Sequence, residues 1–363
     1  MFEIRKNLVP EEQRKEVIKD CSRVPFGRQY TDHMFVMEYN EGKWQTGEIK
    51  KLENLNVHPG SIVFHYAQEI FEGAKCFRAK DGRFVLFRID QNIARMNRSA
   101  KKLCIPELDP ALFDYALREL IKVDARHIPD QDGCSLYIRP FIIATEDGFG
   151  VRSSKKYLFI IMLSPVGPYF PEGFKPTKIY ATQDHARAAP KGTGDIKCGG
   201  NYAASMAGGE EAKKYGCSQV LWLDAKEHKY VEEVGSMNVF FVQKGIVYTA
   251  PLSGTILPGV TRDSVIQLCK AEGIPIREEA LTIDEVCTGI ESGDLSEIFG
   301  SGTACSICPV RSLVFKGKTY TLGKPDDEQS SIGPITNKLF GLLVGIQRGE
   351  IPDRWGWLTN VDV

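Results

Sequence analysis

Residues 164–176, "SPVGPYFPEGFKP", place four prolines and two glycines in thirteen positions. Proline fixes φ and removes a backbone donor, and glycine weakens any regular element, so neither a helix nor a strand is expected to run through this stretch. The 363-residue chain is also longer than one hydrophobic core usually serves. It therefore reads as a smaller N-terminal domain, 1–165, an interdomain loop, 166–176, and a larger C-terminal domain, 177–363.

Ahead of the loop, the apolar runs "MFVMEY", "RFVLFRI", "LYIRPFIIAT" and "YLFIIMLS" are rich in strand formers. By contrast, "DQNIARMNRSAKKLC" and "PALFDYALRELIKVDARHI" repeat apolar residues at helical spacing. This mixture is that of an α+β domain. Beyond the loop, strands are expected near "KIYATQDH", "QVLWLDA", "MNVFFVQKGIVYTAP", "EIFGSG" and "VRSLVFKGKTYTL". Helices are expected near "YAASMAGGEEAKKYG", "RDSVIQLCKAEG", "IDEVCTGIE" and "ITNKLFGLLVGIQRG". No internal repeat is visible.

Forty-six basic residues against 47 acidic ones give a formal charge of −1, which offers no electrostatic footprint for nucleic acid or an anionic membrane. The longest apolar run, "YLFIIML", is far short of the roughly 20 residues that span a bilayer. The N-terminal "MFEIRKNLVPEEQRKEVIKD" lacks the apolar centre of a leader, so a cytoplasmic location is expected. The ten cysteines have neither the density nor the spacing of a disulfide framework, and most are expected to be buried small hydrophobes. Cys305 and Cys308 form one C-x-x-C, without the further ligands of a structural zinc site, and no metal is expected. The six histidines, His33 and His65 among them, lack ligand spacing and read as core or turn residues.

Residues 191–200, "KGTGDIKCGG", begin like a dinucleotide fingerprint, but Lys197 takes the third glycine's place, where a large side chain would spoil helix packing. Nor does the spacing fit a Walker loop. A lysine set among Gly, Ile and Cys can instead sit desolvated, with a lowered pKa and a nucleophilic amine able to form a Schiff base. The residues by themselves leave this open against the more ordinary exposed loop lysine.

The surrounding strings narrow the choice. "KCGGNY", "EEVGSMNVF", "LPGVTR" and "FGSGTACSICPV" follow one another, and upstream stand "FGRQYTDHM", "FHYAQEIFEGAKCF", "LFRIDQNIARMNRSAKKLCIP", "LYIRP" and "PVGPYFPEG". In this order, over nearly the whole chain, they resemble the branched-chain amino-acid aminotransferases, pyridoxal-phosphate enzymes of fold type IV. The resemblance implies an α+β fold of two domains, the larger with a barrel-like sheet, and pyridoxal 5'-phosphate at their interface. It also implies a homodimer, and reversible transfer of the amino group of leucine, isoleucine or valine to 2-oxoglutarate.

Residue by residue, the resemblance makes Lys197 the lysine that holds the cofactor as an internal aldimine and moves the substrate's Cα proton. Glu233 pairs with the pyridine nitrogen; Glu232, its neighbour on a strand, points the other way and reads as a solvated strand-end carboxylate. Tyr202 hydrogen-bonds the ring oxygen, and Arg88, Val260, Thr261 and Thr303 serve the phosphate, in keeping with free amides where "LPGVTR" enters a helix. Phe26, Tyr66, Phe71, Tyr137 and Tyr169 shape an apolar pocket. Thr303 and Ala304, with Tyr66, hold the α-carboxylate, and Arg139 receives the side-chain carboxylate of glutamate. Cys305 and Cys308 keep the spacing of a thiol/disulfide switch, against the alternative of two buried thiols. The long N-terminal segment with "TDHM", together with "YIRP" and "CSIC", argues against two relatives of the same fold, the D-amino-acid aminotransferases and the aminodeoxychorismate lyases. A nicotinamide oxidoreductase lacks a well-placed acidic ribose ligand. A non-catalytic module that keeps the fold is the remaining alternative.

Overall fold

The computed structural model describes residues 2–168 and 174–363. Contacts gather into two compact units: Met1–Pro171 with Lys197–Gly199 and Ile346–Val363, and Glu172–Ile196 with Gly200–Gly345. Segments 197–199 and 346–363, which sequence order puts after the loop, thus make their contacts within the first unit.

The first unit is built on a sheet in the order Ile4–Asn7, Gly47–Lys51, His33–Asn40, Tyr157–Val166, Ser135–Ala144, Ala74–Arg78, Phe84–Phe87, Leu358–Val361. The first pair is parallel and the others antiparallel. Contrary to expectation, the strand Tyr157–Val166 runs through Pro165, which lies opposite Leu136. Pro140 also sits inside a strand. It falls where the neighbouring pairing changes from Glu69–Phe71 to Ala74–Arg78, a gap in which no ladder donor is required of it.

Helix Ile89–Lys102 turns Ile89, Ile93, Met96 and Ala100 inward, together with the polar Asn92, Arg95 and Ser99. Helix Pro110–Val123 begins with the Asp109 carboxylate accepting the Ala111 amide at 2.8 Å and with proline in its first turn, a favourable start. Its Phe113 meets Phe159 of the sheet edge-on at 5.0 Å. "RFVLFRI" splits, because Arg88 adopts a left-handed φ of 49° that ends the strand at Phe87 and opens the helix.

In the second unit six strands close on themselves: Val231–Val234, Gln219–Leu223, Thr177–Ala181, Ser306–Phe315, Leu295–Gly302 and Met237–Gln243, the last pairing back to the first. Closure removes the exposed strand edges of this barrel. The stretch "YAASMAGGEEAKKYG" forms two helices, Gly199–Ala204 and Met206–Lys214, rather than one. Helix Ile283–Ser292 is held at its start by a reciprocal capping box between Thr282 and Glu285.

Phe35 has no accessible surface, meets Phe159 at 5.8 Å, and sits where a Cβ on Gly47 would strike its ring. Phe35→Ala should lower the stability of the first unit by about 3–5 kcal/mol through the cavity it leaves. Urea unfolding followed by a probe in that unit measures this.

Candidate active site

In the first unit the chain lays Lys197 beside the short strand Glu69–Phe71. The Phe71 amide donates to the Lys197 carbonyl at 3.0 Å, and the Lys197 amide donates to Ser99 Oγ at 3.1 Å. These bonds hold the backbone while the side chain extends over Phe71, placing Nζ 4.6 Å from the ring centroid. Burial pushes the amine down to about 8; Arg95 and Arg139 push the same way, and Glu72 and Tyr137 oppose them. Lys197 is half-buried, unlike an exposed loop lysine. The amine titrates within reach of neutral pH, where an ordinary lysine is almost wholly protonated.

Glu72 is fully buried and bound by Arg95 through two bonds, Nε to Oε1 at 2.7 Å and Nη2 to Oε2 at 2.9 Å, with Asn92 adding a third at 2.9 Å. Burial alone would raise its carboxyl; Arg95 first, then Lys197 and Asn92, outweigh that and hold it below the usual range. Glu72, Arg95 and Asn92 are site residues that the sequence reading did not single out. Their signal was present: Asn92, Arg95 and Ser99 occupy the inward face of a helix otherwise apolar there, and a buried cation requires a partner.

A cavity of about 450 Å³ in the same unit brings together four of the expected substrate residues, Phe26, Phe71, Tyr137 and Arg139. Phe26 and Tyr137 meet edge-on at 4.7 Å. The Arg139 guanidinium lies over Phe71 at 4.8 Å and donates to the Tyr137 hydroxyl at 3.0 Å. Tyr66 is not among the lining residues; it ends the helix Ile62–Tyr66, and its hydroxyl donates to the Phe149 carbonyl. Arg88 is buried, with its guanidinium 5.1 Å from the Trp357 ring and its amide donating to the Trp357 carbonyl at 2.7 Å. Tyr169 lies outside the described residues.

In the second unit Glu233 and Tyr202 line one cavity of about 240 Å³, with Arg187, Asn201, Trp222 and Leu257. The Glu233 carboxylate accepts from the Leu257 amide at 2.9 Å and from Asn238 at 3.2 Å, and faces Arg187 Nε at 3.0 Å. Glu232 points away, as strand alternation requires. It is buried rather than solvated, receives the Thr255 hydroxyl, and has its carboxyl raised by burial. Arg187 also donates to the carbonyls of Thr255 and Gly194. Gly194 must be glycine, since a Cβ would lie 2.4 Å from the Thr255 carbonyl oxygen. Asn201, another residue missed from sequence, ties down the loop before the lysine through the Thr193 carbonyl at 2.7 Å and the Ile196 carbonyl at 2.9 Å.

Val260 and Thr261 open the helix Val260–Ala271, and both are buried. Thr303 and Ala304 occupy the turn between Leu295–Gly302 and Ser306–Phe315. Among the described residues no disulfide joins any of the cysteines; Cys104 is exposed and Cys305 partly so. Cys305 Sγ lies 3.2 Å from the Met237 sulfur, whereas buried Cys308 lies 3.7 Å from Thr177 Oγ1, with its thiol pushed up to about 11 by burial. His33 Nδ1 sits 2.7 Å from Asp124, its Nε2 accepting the Val9 amide, and His65 Nε2 lies 3.0 Å from the Pro59 carbonyl. Among the described residues no cluster of three or more His, Cys, Asp or Glu is placed to hold a metal.

The family described as amino-transferase class IV matches residues 69–313. The chain is 46% identical over 344 residues to branched-chain-amino-acid transaminase 1 of Bacillus subtilis (strain 168), covering 94% of this chain and 95% of that one. The crystal structure of the Escherichia coli branched-chain amino acid aminotransferase superposes with a TM-score of 0.74 at 30% identity, covering 92% of this chain and 99% of that one. The branched-chain amino acid aminotransferase of Thermobaculum terrenum, in its PLP-form, shares the fold with a TM-score of 0.74 at 22% identity, covering 93% and 100%.

In ligand-free protein, the rate at which an amine reagent modifies Lys197 should rise with a midpoint near pH 8, because the neutral amine is the reactive form. Glu72→Gln removes the charge that opposes deprotonation and should move the midpoint lower. Peptide mapping of the modified protein against pH reads both.

Proposed function

The chain belongs to the class IV amino-transferases and, within them, to the branched-chain-amino-acid aminotransferases, and from that premise we propose that it transfers amino groups between leucine, isoleucine or valine and 2-oxoglutarate, with Lys197 as its reactive lysine. Pyridoxal 5'-phosphate, the cofactor of this fold type, supplies when bound the electron sink that lets the Cα–H bond of an amino acid break. The donor set fits such a group: a buried carboxylate and a phenol share one cavity, and a lysine has its amine lowered to about 8. Lys197 would hold the aldehyde carbon, Glu233 would face the pyridine nitrogen and Tyr202 the ring oxygen. Arg88, Thr303 and the helix start at Val260 and Thr261 would receive the phosphate.

What carries the reading is Lys197, its backbone fixed by Phe71 and Ser99 and its Nζ held 4.6 Å from the Phe71 ring centroid in a setting that lowers the amine to about 8. Neutral for part of the time near pH 7, Nζ can take the substrate's Cα proton and give it back. Leu257, Asn238 and Arg187 fix Glu233 in one orientation, so it does not have to reorganise when a ring nitrogen is presented to it. Phe26, Phe71 and Tyr137 exclude water from an aliphatic side chain, while Arg139 among the same aromatics can meet the distal carboxylate of glutamate. Thr303 and Ala304, with Tyr66, would hold the α-carboxylate, Tyr66 first giving up its bond to Phe149.

A cytoplasmic homodimer belongs to the same proposal. Among the described residues no helix is long and apolar enough to cross a membrane. Phe64, Tyr66, Phe149 and Val151 are all exposed, and His65 meets Phe149 edge-on at 5.1 Å while the Tyr66 hydroxyl donates to the Phe149 carbonyl, exposed apolar surface that a second copy would cover.

Borohydride treatment of cofactor-saturated protein should leave a phosphopyridoxyl group on Lys197 in the peptide map; its absence from that peptide refutes the assignment. Lys197→Ala should lower the rate of L-leucine transamination to 2-oxoglutarate by at least about a thousandfold, and activity on D-alanine alone would overturn the substrate class. Light scattering should give twice the chain mass, and Phe149→Asp should shift it toward the single chain.

A further inference from the structure

The cavity walled by Phe26, Phe71, Tyr137 and Arg139 also contains an acid, Glu69. Glu69 begins the strand Glu69–Phe71 and lies two residues before Phe71, so both side chains leave the same face of the sheet. Opposite Phe71 in the register stands Phe141, another wall of the cavity. The carboxylate is pinned against the backbone that follows the reactive lysine. A Cβ on Gly199 would lie 1.7 Å from Glu69 Oε1, and the Gly199 amide hydrogen-bonds the carboxylate. Burial raises the Glu69 carboxyl, while the Gly199 amide and the charge of Arg139 work to keep it ionised.

An aliphatic side chain has nothing to offer this carboxylate, and an anionic one is repelled by it. We propose that Glu69 is a specificity-determining residue: its charge occupies part of the field of Arg139 and so weakens dicarboxylate substrates relative to branched aliphatic ones. The inference rests on the reading of this cavity as the substrate site. One cation then serves two substrates unequally, full attraction for the dicarboxylate being withheld by the protein's own acid. Two like charges that share a partly solvated cavity repel enough to change binding about three- to tenfold.

The test uses the cofactor-loaded enzyme and two ligands that cannot react, glutarate and 4-methylpentanoate, with dissociation constants measured by calorimetry. Glu69→Gln keeps an acceptor for the Gly199 amide and removes the charge. It should tighten glutarate about three- to tenfold and move 4-methylpentanoate less than about twofold. Glu69→Met, which loses the acceptor as well, should shift the ratio of the two constants the same way. In an Arg139→Met background glutarate should bind more weakly, and Glu69→Gln should still tighten it, because the repulsion between the two anions does not require the cation. Equal changes for both ligands, no change, weaker glutarate, or an effect confined to Glu69→Met would each overturn the proposal. A wild-type enzyme that fails to transaminate leucine with 2-oxoglutarate sinks the underlying reading instead; an active wild type with an unmoved ratio sinks this inference alone.

Discussion

A lysine that is to act as a base must be taken out of water, yet it cannot be given a carboxylate of its own, because a dedicated ion pair would lock it in the charged form. The fold buries the lysine and places the nearby acid, Glu72, in the grip of Arg95. The guanidinium takes both carboxylate oxygens, and Glu72 remains an anion whose charge is felt by Lys197. The amine feels a cation and an anion at once, and burial tips the balance toward the neutral form. Much of the first unit serves that arrangement: the inward face of one helix supplies Arg95, Asn92 and Ser99, and the short strand Glu69–Phe71 supplies the backbone bond that fixes the lysine's segment.

The barrel solves a different problem. Two adjacent glutamates on a four-residue strand could both have competed for one cavity, and strand alternation sends them to opposite sides. Each then acquires its own means of burial, Arg187 with Leu257 and Asn238 for Glu233, and the Thr255 hydroxyl for Glu232. Thr255 serves both sides, its hydroxyl given to Glu232 and its carbonyl to Arg187. The approach of that carbonyl to Gly194 is why the loop before the lysine begins so much like a nucleotide fingerprint. Its glycine answers to a backbone contact inside the protein rather than to a pyrophosphate.

Elements with a strong local period were legible in the sequence: the helices near Ile93 and Leu117, and the long strands around Ile138 and Ile160. Short strands such as Ile4–Asn7, Glu69–Phe71 and Leu358–Val361 were not, since their reason for being strands lies in partners distant along the chain. Within the site the family strings pointed to Phe26, Phe71, Tyr137 and Arg139, which do share a cavity, and to Glu233 and Tyr202, which share another. What they missed were the supporting charges. Arg95, Glu72 and Arg187 look like ordinary surface residues until the fold buries them, and no local pattern says which cation will meet which anion. Tyr66 also stands inside a family string, and its hydroxyl donates to the Phe149 carbonyl.

The sheet of the first unit takes its last strand, Leu358–Val361, from the far end of the chain, paired along Phe84–Phe87. Arg88, next in sequence, rests on Trp357 from the same tail. The first unit therefore cannot be completed until residues 357–361 have been made, after the whole of the second unit. Until then a growing chain carries an open strand edge along Phe84–Phe87 and an Arg88 without its Trp357 cover, so the unit begun first closes after the one begun second.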